Sequence, residues 1–280
     1  MMNIWYSLVD FLLPFDWTNH IFMKNALLAV ILVCPLFGLL GTMIVNNKMA
    51  FFSDAIGHSA LTGIAIGVLL GLKNPILSML AFSIILALAI SAARNISLNS
   101  TDTIIGIFSS AAVALGIVIL SKGGGFAKYS SYLIGDLLSI SPNDLALLFF
   151  VFISVIIIWI LIFNKLFLTS ISKSLAVSKK VNTVVADTVF TLIVAVIVTI
   201  SIQWLGILII NSLLVLPSAS ARNLSSNIKQ YHAFSIAISL ISGISGLIMS
   251  YYWGTATGAT IVLVSAVFYI ASLVTIRIRN

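Results

Sequence analysis

The chain has 280 residues, 61% of them hydrophobic and 8% charged, with a mean hydropathy of +1.21. A soluble domain carries about 25% charged residues, so this chain cannot present an ordinary water-facing surface, and lipid must be its solvent. Fourteen Lys and Arg against seven acids, all Asp, give a net charge of +7. These positives lie in short loops between apolar runs, which argues against a nucleic-acid partner and makes them topology signals.

Residues 1–25 open with MMNIWYSLVDFLLPFDW. They lack a basic start and a small-residue cleavage site, so no cleavable signal peptide is expected. They read as an interfacial amphipathic segment anchored by Trp5, Tyr6 and Trp17. From 26 to 280 the chain reads as a single transmembrane domain. A helix needs about 20 apolar residues to cross about 30 Å of hydrocarbon. Run length places spans near 26–45, 54–72, 75–93, 103–120, 145–164, 183–202, 204–220, 233–252 and 256–276. The fold class is therefore all-α, a polytopic membrane protein with about eight or nine transmembrane helices. The 204–220 segment is short and contains Pro217, so it is the one expected to be broken or half-crossing. Cys34, beside Pro35 in an apolar run, is the lone cysteine and reads as packing.

Taking 165–182 as cytoplasmic fixes every other loop by alternation. Lys24, Lys73, Lys122 and Lys128 then fall outside and the other ten positives inside, the bias that topology rules expect. The N-terminus is expected outside and the C-terminus inside. The outer loop 121–144, SKGGGFAKYSSYLIGDLLSISPND, is too apolar in YLIGDLL to float free and is expected to dip back into the bundle. The inner loop 165–182, KLFLTSISKSLAVSKKVN, holds a short amphipathic helix near 170–181, capped by Ser170 or Ser172. Leu175, Val177 and Val181 form its apolar edge. The pattern suits a helix lying on lipid headgroups and equally one that docks a cytoplasmic partner.

Polar residues within the apolar runs carry the functional signal. In FFSDAIGHSAL, residues 51–61, Asp54 and His58 stand at i and i+4 on one helical face, and Thr62 continues it. Ser59, Gly63, Gly67 and Gly71 make a second stripe that lets a neighbouring helix approach closely. Asp54 and Ser53 suit a helix cap, and His58 a buried imidazole on a carbonyl. The pair equally suits a proton relay, or a half-site for a divalent transition metal. Asn211 and Ser212, six and five residues before Pro217, either line a cavity or bond a neighbouring helix. Asp136 is placed at the outer mouth. Asp102 and Asp144 read as helix caps, and Asp187 as snorkelling or pairing with Lys179 or Lys180. His20 and His232 receive no role. The chain has no G-x-x-x-x-G-K-[ST], HExxH or GxSxG pattern, so it is not read as an enzyme.

The segment from Ala26 to Gly71 resembles the opening of the membrane permeases of bacterial zinc/manganese ABC importers, through Ser53-Asp54-Ala55-Ile56-Gly57-His58-Ser59. The resemblance continues in Asp102–Ile107, in Tyr132–Leu138, in LGILIINSLLVLPSASAR from Leu205 to Arg222, and in Gly246–Leu263. These blocks run nearly end to end and in order. The resemblance implies a permease subunit in the bacterial plasma membrane that moves Zn²⁺ or Mn²⁺ inward, as substrate rather than as a resident cofactor. It implies a separate cytoplasmic ATPase, an extracytoplasmic metal-binding protein and a second copy of the chain around a central path. Asp54 and His58 would contact the metal, with Thr62, Asn211, Ser212 and Asp136 as further path-lining candidates. Loop 165–182 would carry the coupling helix, with Lys173, Ser174, Leu175, Ala176 and Val177 at the ATPase. The family usually has acidic residues leading into that helix, where this chain has Ser170-Ile171-Ser172-Lys173. A different class, an ion-coupled secondary transporter using Asp54 and His58 as a proton or metal relay, predicts two similar halves. No internal repeat is visible.

Overall fold

A computed structural model describes residues 2–72, 75–123 and 135–279 of the chain. The lysines at 73 and 128, the glycines at 124 and 125 and the expected dip at Tyr132–Ile134 lie outside the described residues. Among the described residues there is no strand. The helices are α1 (Met2–Leu12), α2 (Ile21–Asn46), α3 (Phe52–Leu69), α4 (Pro75–Ile96), α5 (Thr101–Gly123) and α6 (Pro142–Ile171). They continue with α7 (Lys173–Ser178), α8 (Thr183–Leu205), α9 (Ile207–Leu224), α10 (Ile228–Trp253) and α11 (Thr257–Arg279). Short 3₁₀ turns occupy Asp16–Asn19 and Leu137–Ser139. Among the described residues, eight helices are long and apolar enough to cross a membrane: α2 to α6, α8, α10 and α11.

Local chemistry explains where the helices start and stop, and it corrects two expected caps. Asp102 does not cap α5. The cap is Ser100, whose Oγ accepts the Thr103 N–H at 3.2 Å. Before α6, Ser141 is the cap and Asp144 answers it: the Asp144 N–H donates to Ser141 Oγ at 3.3 Å, and the Ser141 N–H donates to Asp144 Oδ2 at 3.1 Å. With Pro142 as first residue, this is a reciprocal capping box with a preset φ. Residues 204–220 do break, but not at Pro217. The helix runs through Pro217, and the chain bends instead at Gly206, whose φ of 74° strains any side chain. Trp204 and Leu205 therefore finish α8 rather than begin the next helix.

The chain divides into two compact units. One comprises residues 43–134 and 157–211 and is organised on α3. Twelve of the eighteen residues of α3 are buried, because α4, α5 and α8 pack against it. A Cβ on Gly63 would lie 2.6 Å from the Met79 Cα of α4, and one on Gly57 would lie 2.8 Å from Ile207 Cγ2 of α9. The expected small-residue stripe thus packs on α4 at Gly63 and Gly67, while Gly71 lies beyond the helix in open space with φ of 68°. On α8, Phe190 is buried, with its ring 6.3 Å from Trp159. Asp187 of α8 pairs with Arg94 Nη1 of α4 at 3.0 Å, the two side chains 17% and 12% exposed. The expectation for Asp187 was snorkelling or a pair with Lys179 or Lys180. Both precede α8, and α8 turns Asp187 toward α4, on which it packs. Removing one partner of so enclosed a pair costs about 3–5 kcal/mol.

The other unit comprises residues 1–42, 135–156 and 212–280. Here α1 is held to α2 by polar contacts. Trp5 Nε1–H donates to the Lys24 carbonyl at 3.0 Å, Tyr6 O–H donates to Asn25 Oδ1 at 2.8 Å, and Lys24 pairs with Asp10 at 2.6 Å. Trp5 and Tyr6, expected as interfacial anchors, also fasten α1 to α2. Trp17 is buried. Lys24, expected as an open loop charge, is likewise buried and paired. Backbones also approach closely in this unit. Ser235 of α10 donates to the Gly38 carbonyl of α2 at 2.6 Å, and a Cβ on Gly246 would lie 2.6 Å from the Ile261 Cα of α11. Cys34 is a buried free thiol against Gly243.

Gly63→Ala is expected to lower thermal stability in detergent by about 1–3 kcal/mol, because the new methyl meets backbone rather than a yielding side chain. Gly106→Ala, where no atom lies within 4 Å of the built Cβ, is expected to gain up to about 1 kcal/mol of helix propensity instead. Melting curves of the two purified variants decide this.

Candidate metal-binding site

The site is built at the first turns of α3. Phe51 occupies the N-cap position in a helical conformation and gives no side-chain cap. Phe52, Ser53 and Asp54 are the first three helical residues, so Asp54 lies inside the helix and the capping role does not fall to it. It sits among the unsatisfied first-turn N–H groups, where negative charge meets the positive end of the helix. Ser53 does not cap either: its Oγ–H donates to Asn211 Oδ1 of α9 at 2.8 Å. That bond, with the Gly57–Ile207 contact, clamps the start of α9 to the start of α3.

Asp54 Oδ1 stands 3.4 Å from His58 Nε2, with the two side chains 34% and 38% exposed. On a helix that is otherwise mostly buried, these two are partly open. Carboxylate oxygen and imidazole nitrogen are both ligands for small divalent transition ions. Among the described residues, no group of three or more His, Cys, Asp or Glu side chains is positioned to share an ion. The pair thus supplies two donors, and a four-coordinate shell needs further ligands from outside this cluster.

The remaining candidates fall in different places. Thr62 does not continue the open face. It is fully buried, and its Oγ1–H donates to the Ala112 carbonyl of α5 at 2.5 Å. Each four-residue step advances about 40° around a helix, and the second step has turned Thr62 onto α5. Asn211 is half-buried and engaged with Ser53. Ser212, the next residue of α9, is half-buried. Asp136 is exposed and accepts the Leu138 N–H at 3.2 Å, capping the 3₁₀ turn Leu137–Ser139.

The short helix in loop 165–182 forms as α7, narrower than expected. Ser172 is its cap, accepting the Leu175 N–H at 3.3 Å. Ser170 belongs to the end of α6 and donates to the Phe167 carbonyl. Ala176 is buried, while Leu175 and Val177 are 44% and 64% exposed. Ser174 is exposed beside Ser172, and the Lys173 side chain lies outside the described residues. Two interhelical contacts escape sequence reasoning, Ser53–Asn211 at the head of α3 and Arg94–Asp187 between α4 and α8. Their partners are 158 and 93 residues apart, and no local spacing links them.

The ABC 3 transport family matches residues 19–276. The high-affinity zinc uptake system membrane protein ZnuB of Haemophilus influenzae is 32% identical over 249 residues, covering 89% of this chain and 95% of that protein. The manganese transport system membrane protein MntC of Listeria monocytogenes is 30% identical over 256 residues, covering 91% of each. The structure of PsaBC from Streptococcus pneumoniae in complex with Fab aligns with a TM-score of 0.77 at 25% identity, covering 97% of this chain and 95% of that one.

Asp54→Asn and His58→Ala are each expected to weaken binding of a divalent transition ion to the purified chain by about tenfold or more. Neither should shift the melting temperature by more than about 2 °C, because neither side chain is packed in a core. Calorimetric titration and melting curves of the same preparations check both halves.

Proposed function

The chain belongs to the ABC 3 transport family and is the multi-pass membrane permease of an ABC transporter, and we propose that its cargo is Zn²⁺ or Mn²⁺, moved inward across the bacterial plasma membrane. The observation that carries this reading is the Asp54–His58 pair: two metal-type donors 3.4 Å apart, one-third open, on a helix otherwise buried in protein. The names of the relatives, zinc uptake and manganese transport, support the same cargo class. Zinc and manganese both accept nitrogen and oxygen ligands, so the pair serves either.

In this reading the ATPase is a separate cytoplasmic subunit, and a metal-binding protein hands the ion over from outside. Asp54 and His58 hold the ion transiently, with no resident cofactor. A second copy of the chain brings an equivalent pair, and the two pairs together supply four ligands to a small divalent ion. The excess of Lys and Arg in loops assigned to one side supports an outside N-terminus and an inside C-terminus. The cavity shared by Asn47, Lys48, Asn95, Ser170, Ser172 and Thr183 supports this, since it gathers three of those loops at one end of their unit.

The α7 helix is the coupling element in this proposal. Ser172 fixes its start, and Leu175 and Val177 stand out from it as the apolar contact for a groove on the ATPase.

In liposomes holding the chain with its ATPase, metal uptake is expected only with ATP supplied. Asp54→Asn and His58→Ala should reduce uptake about tenfold or more while the ATPase stays bound. Uptake by the chain alone under a proton gradient would return the secondary-transporter reading. Independently, Leu175→Asp is expected to lower recovery of the ATPase with the tagged chain about tenfold, the loss of an apolar anchor at an interface centre. Quantitative co-purification reads this out, and unchanged recovery moves the docking site away from α7.

A further inference from the structure

A cavity of about 320 Å³ lies in the α3-centred unit, away from the Asp54 and His58 side chains. It is lined by polar residues from five helix ends, and Ile171 is its one apolar liner. Lys48 follows the end of α2, and Arg94 and Asn95 close α4. Ser170 ends α6, while Thr101 and Thr183 open α5 and α8. All five helices are among those long and apolar enough to span a membrane. The cavity touches only their last or first two turns, so it sits where the spans leave hydrocarbon, at the depth of lipid phosphates.

Its charge is positive. Lys48 and Arg94 face a single acid, Asp187, which Arg94 Nη1 already holds at 3.0 Å. The Arg94 Nε–H is buried and has no acceptor among the described residues. The Lys48 ammonium has neither an ion pair nor a hydrogen bond there. The hydroxyls of Thr101 and Thr183 and the second amide N–H of Asn95, whose first is held by the Ser91 carbonyl, add donors, and the first N–H groups of α5 and α8 begin at the same wall. A group of convergent donors with one surplus positive charge suits a phosphate monoanion. Hydrocarbon is matched too: Ile96 and Leu98, directly after Arg94 and Asn95, are almost wholly exposed.

We propose that this cavity binds an anionic membrane phospholipid, its phosphate held by Lys48 and Arg94 and its acyl chains lying along Ile96 and Leu98. The inference does not depend on the identity of the cargo. A basic pocket between spans at the membrane surface is the setting in which anionic headgroups bind. A lipid there ties the ends of α2, α4, α5, α6 and α8 to one another, and through Ser170 and Ser172 it abuts the start of α7.

The test uses the full chain, delipidated in detergent and titrated with phosphatidylglycerol, with phosphatidylcholine of the same acyl length, and with inorganic phosphate. Bound lipid is read by native mass spectrometry. Phosphatidylglycerol is expected to bind about fivefold more tightly than phosphatidylcholine, the preference one basic side chain confers. Lys48→Gln should abolish that preference. Lys48→Asn, whose residue suits the left-handed backbone there (φ 54°), should do the same without strain. Lys180→Gln, in the same backbone conformation (φ 56°) but outside the cavity, should keep it. Equal binding of the two lipids would overturn the proposal, as would a preference that survives both Lys48 variants. Displacement of phosphatidylglycerol by equimolar inorganic phosphate would reassign the cavity to a free anion. Loss of the ATPase from the Lys48 variants with lipid preference intact would reassign it to a protein partner.

Discussion

The close approach of backbones at α3 is the constraint on which the rest of its unit depends. Between helices already in lipid, burial of apolar surface drives little, and association rests on van der Waals packing and interhelical polar contacts. Gly57 and Gly63 lie so near Ile207 and the Met79 backbone that any side chain would intrude. Because neighbours can come that close, twelve residues of α3 are buried, and the helix is held by α4, α5, α8 and the start of α9. A helix so enclosed can present its few remaining open side chains in a fixed direction.

The polar residues of this unit divide by how they are satisfied. Thr62 donates to Ala112, Ser53 to Asn211 and Arg94 to Asp187, each across a helix pair. In a low-dielectric surrounding a lone polar group is costly, so these contacts fix which helix faces meet. Asp54 and His58 differ from the rest. They touch each other within one helix and remain one-third exposed. Among the described residues their polar contact is with each other and not with a neighbouring helix, and it is this openness at the head of a packed helix on which the proposed ligand role rests. The pair's donor count of two also accounts for the proposed need of a second copy or a delivered ion's own ligands.

The same economy of contacts holds in the other unit. There α1 is fastened to α2 through Trp5, Tyr6 and the Lys24–Asp10 pair. The amphipathic pattern of residues 2–12 is the same for a helix on lipid and a helix on protein. The polar tips of Trp5 and Tyr6 each find an acceptor in the chain, while Ile4, Phe11 and Leu12 of the same helix stay exposed. Loop 165–182 makes a similar point. Its amphipathic stretch forms a helix of six residues, since α6 persists to Ile171 and Ser172 can start α7 only after it.

Periodicity, run length and small-residue spacing are local properties, and what they control was legible in the chain itself. The all-helical class, the spans near their observed ranges, the Gly63–Gly67 face of α3 and the polarity of α7 follow from residues within one or two helical turns. The family resemblance, carried by ordered motifs such as Ser53–Ser59, was legible for the same reason. Tertiary structure decided the partners. Asp187 meets Arg94 and not a nearby lysine, and Ser53 serves Asn211 and not the helix end. Thr62 turns away from the face it shared on a helical wheel. Each of these depends on which helix lies alongside, and that is set by close packing summed over a whole interface. No residue carries that information in its own neighbourhood, so the sequence named the polar residues while the fold chose which of them would be left open.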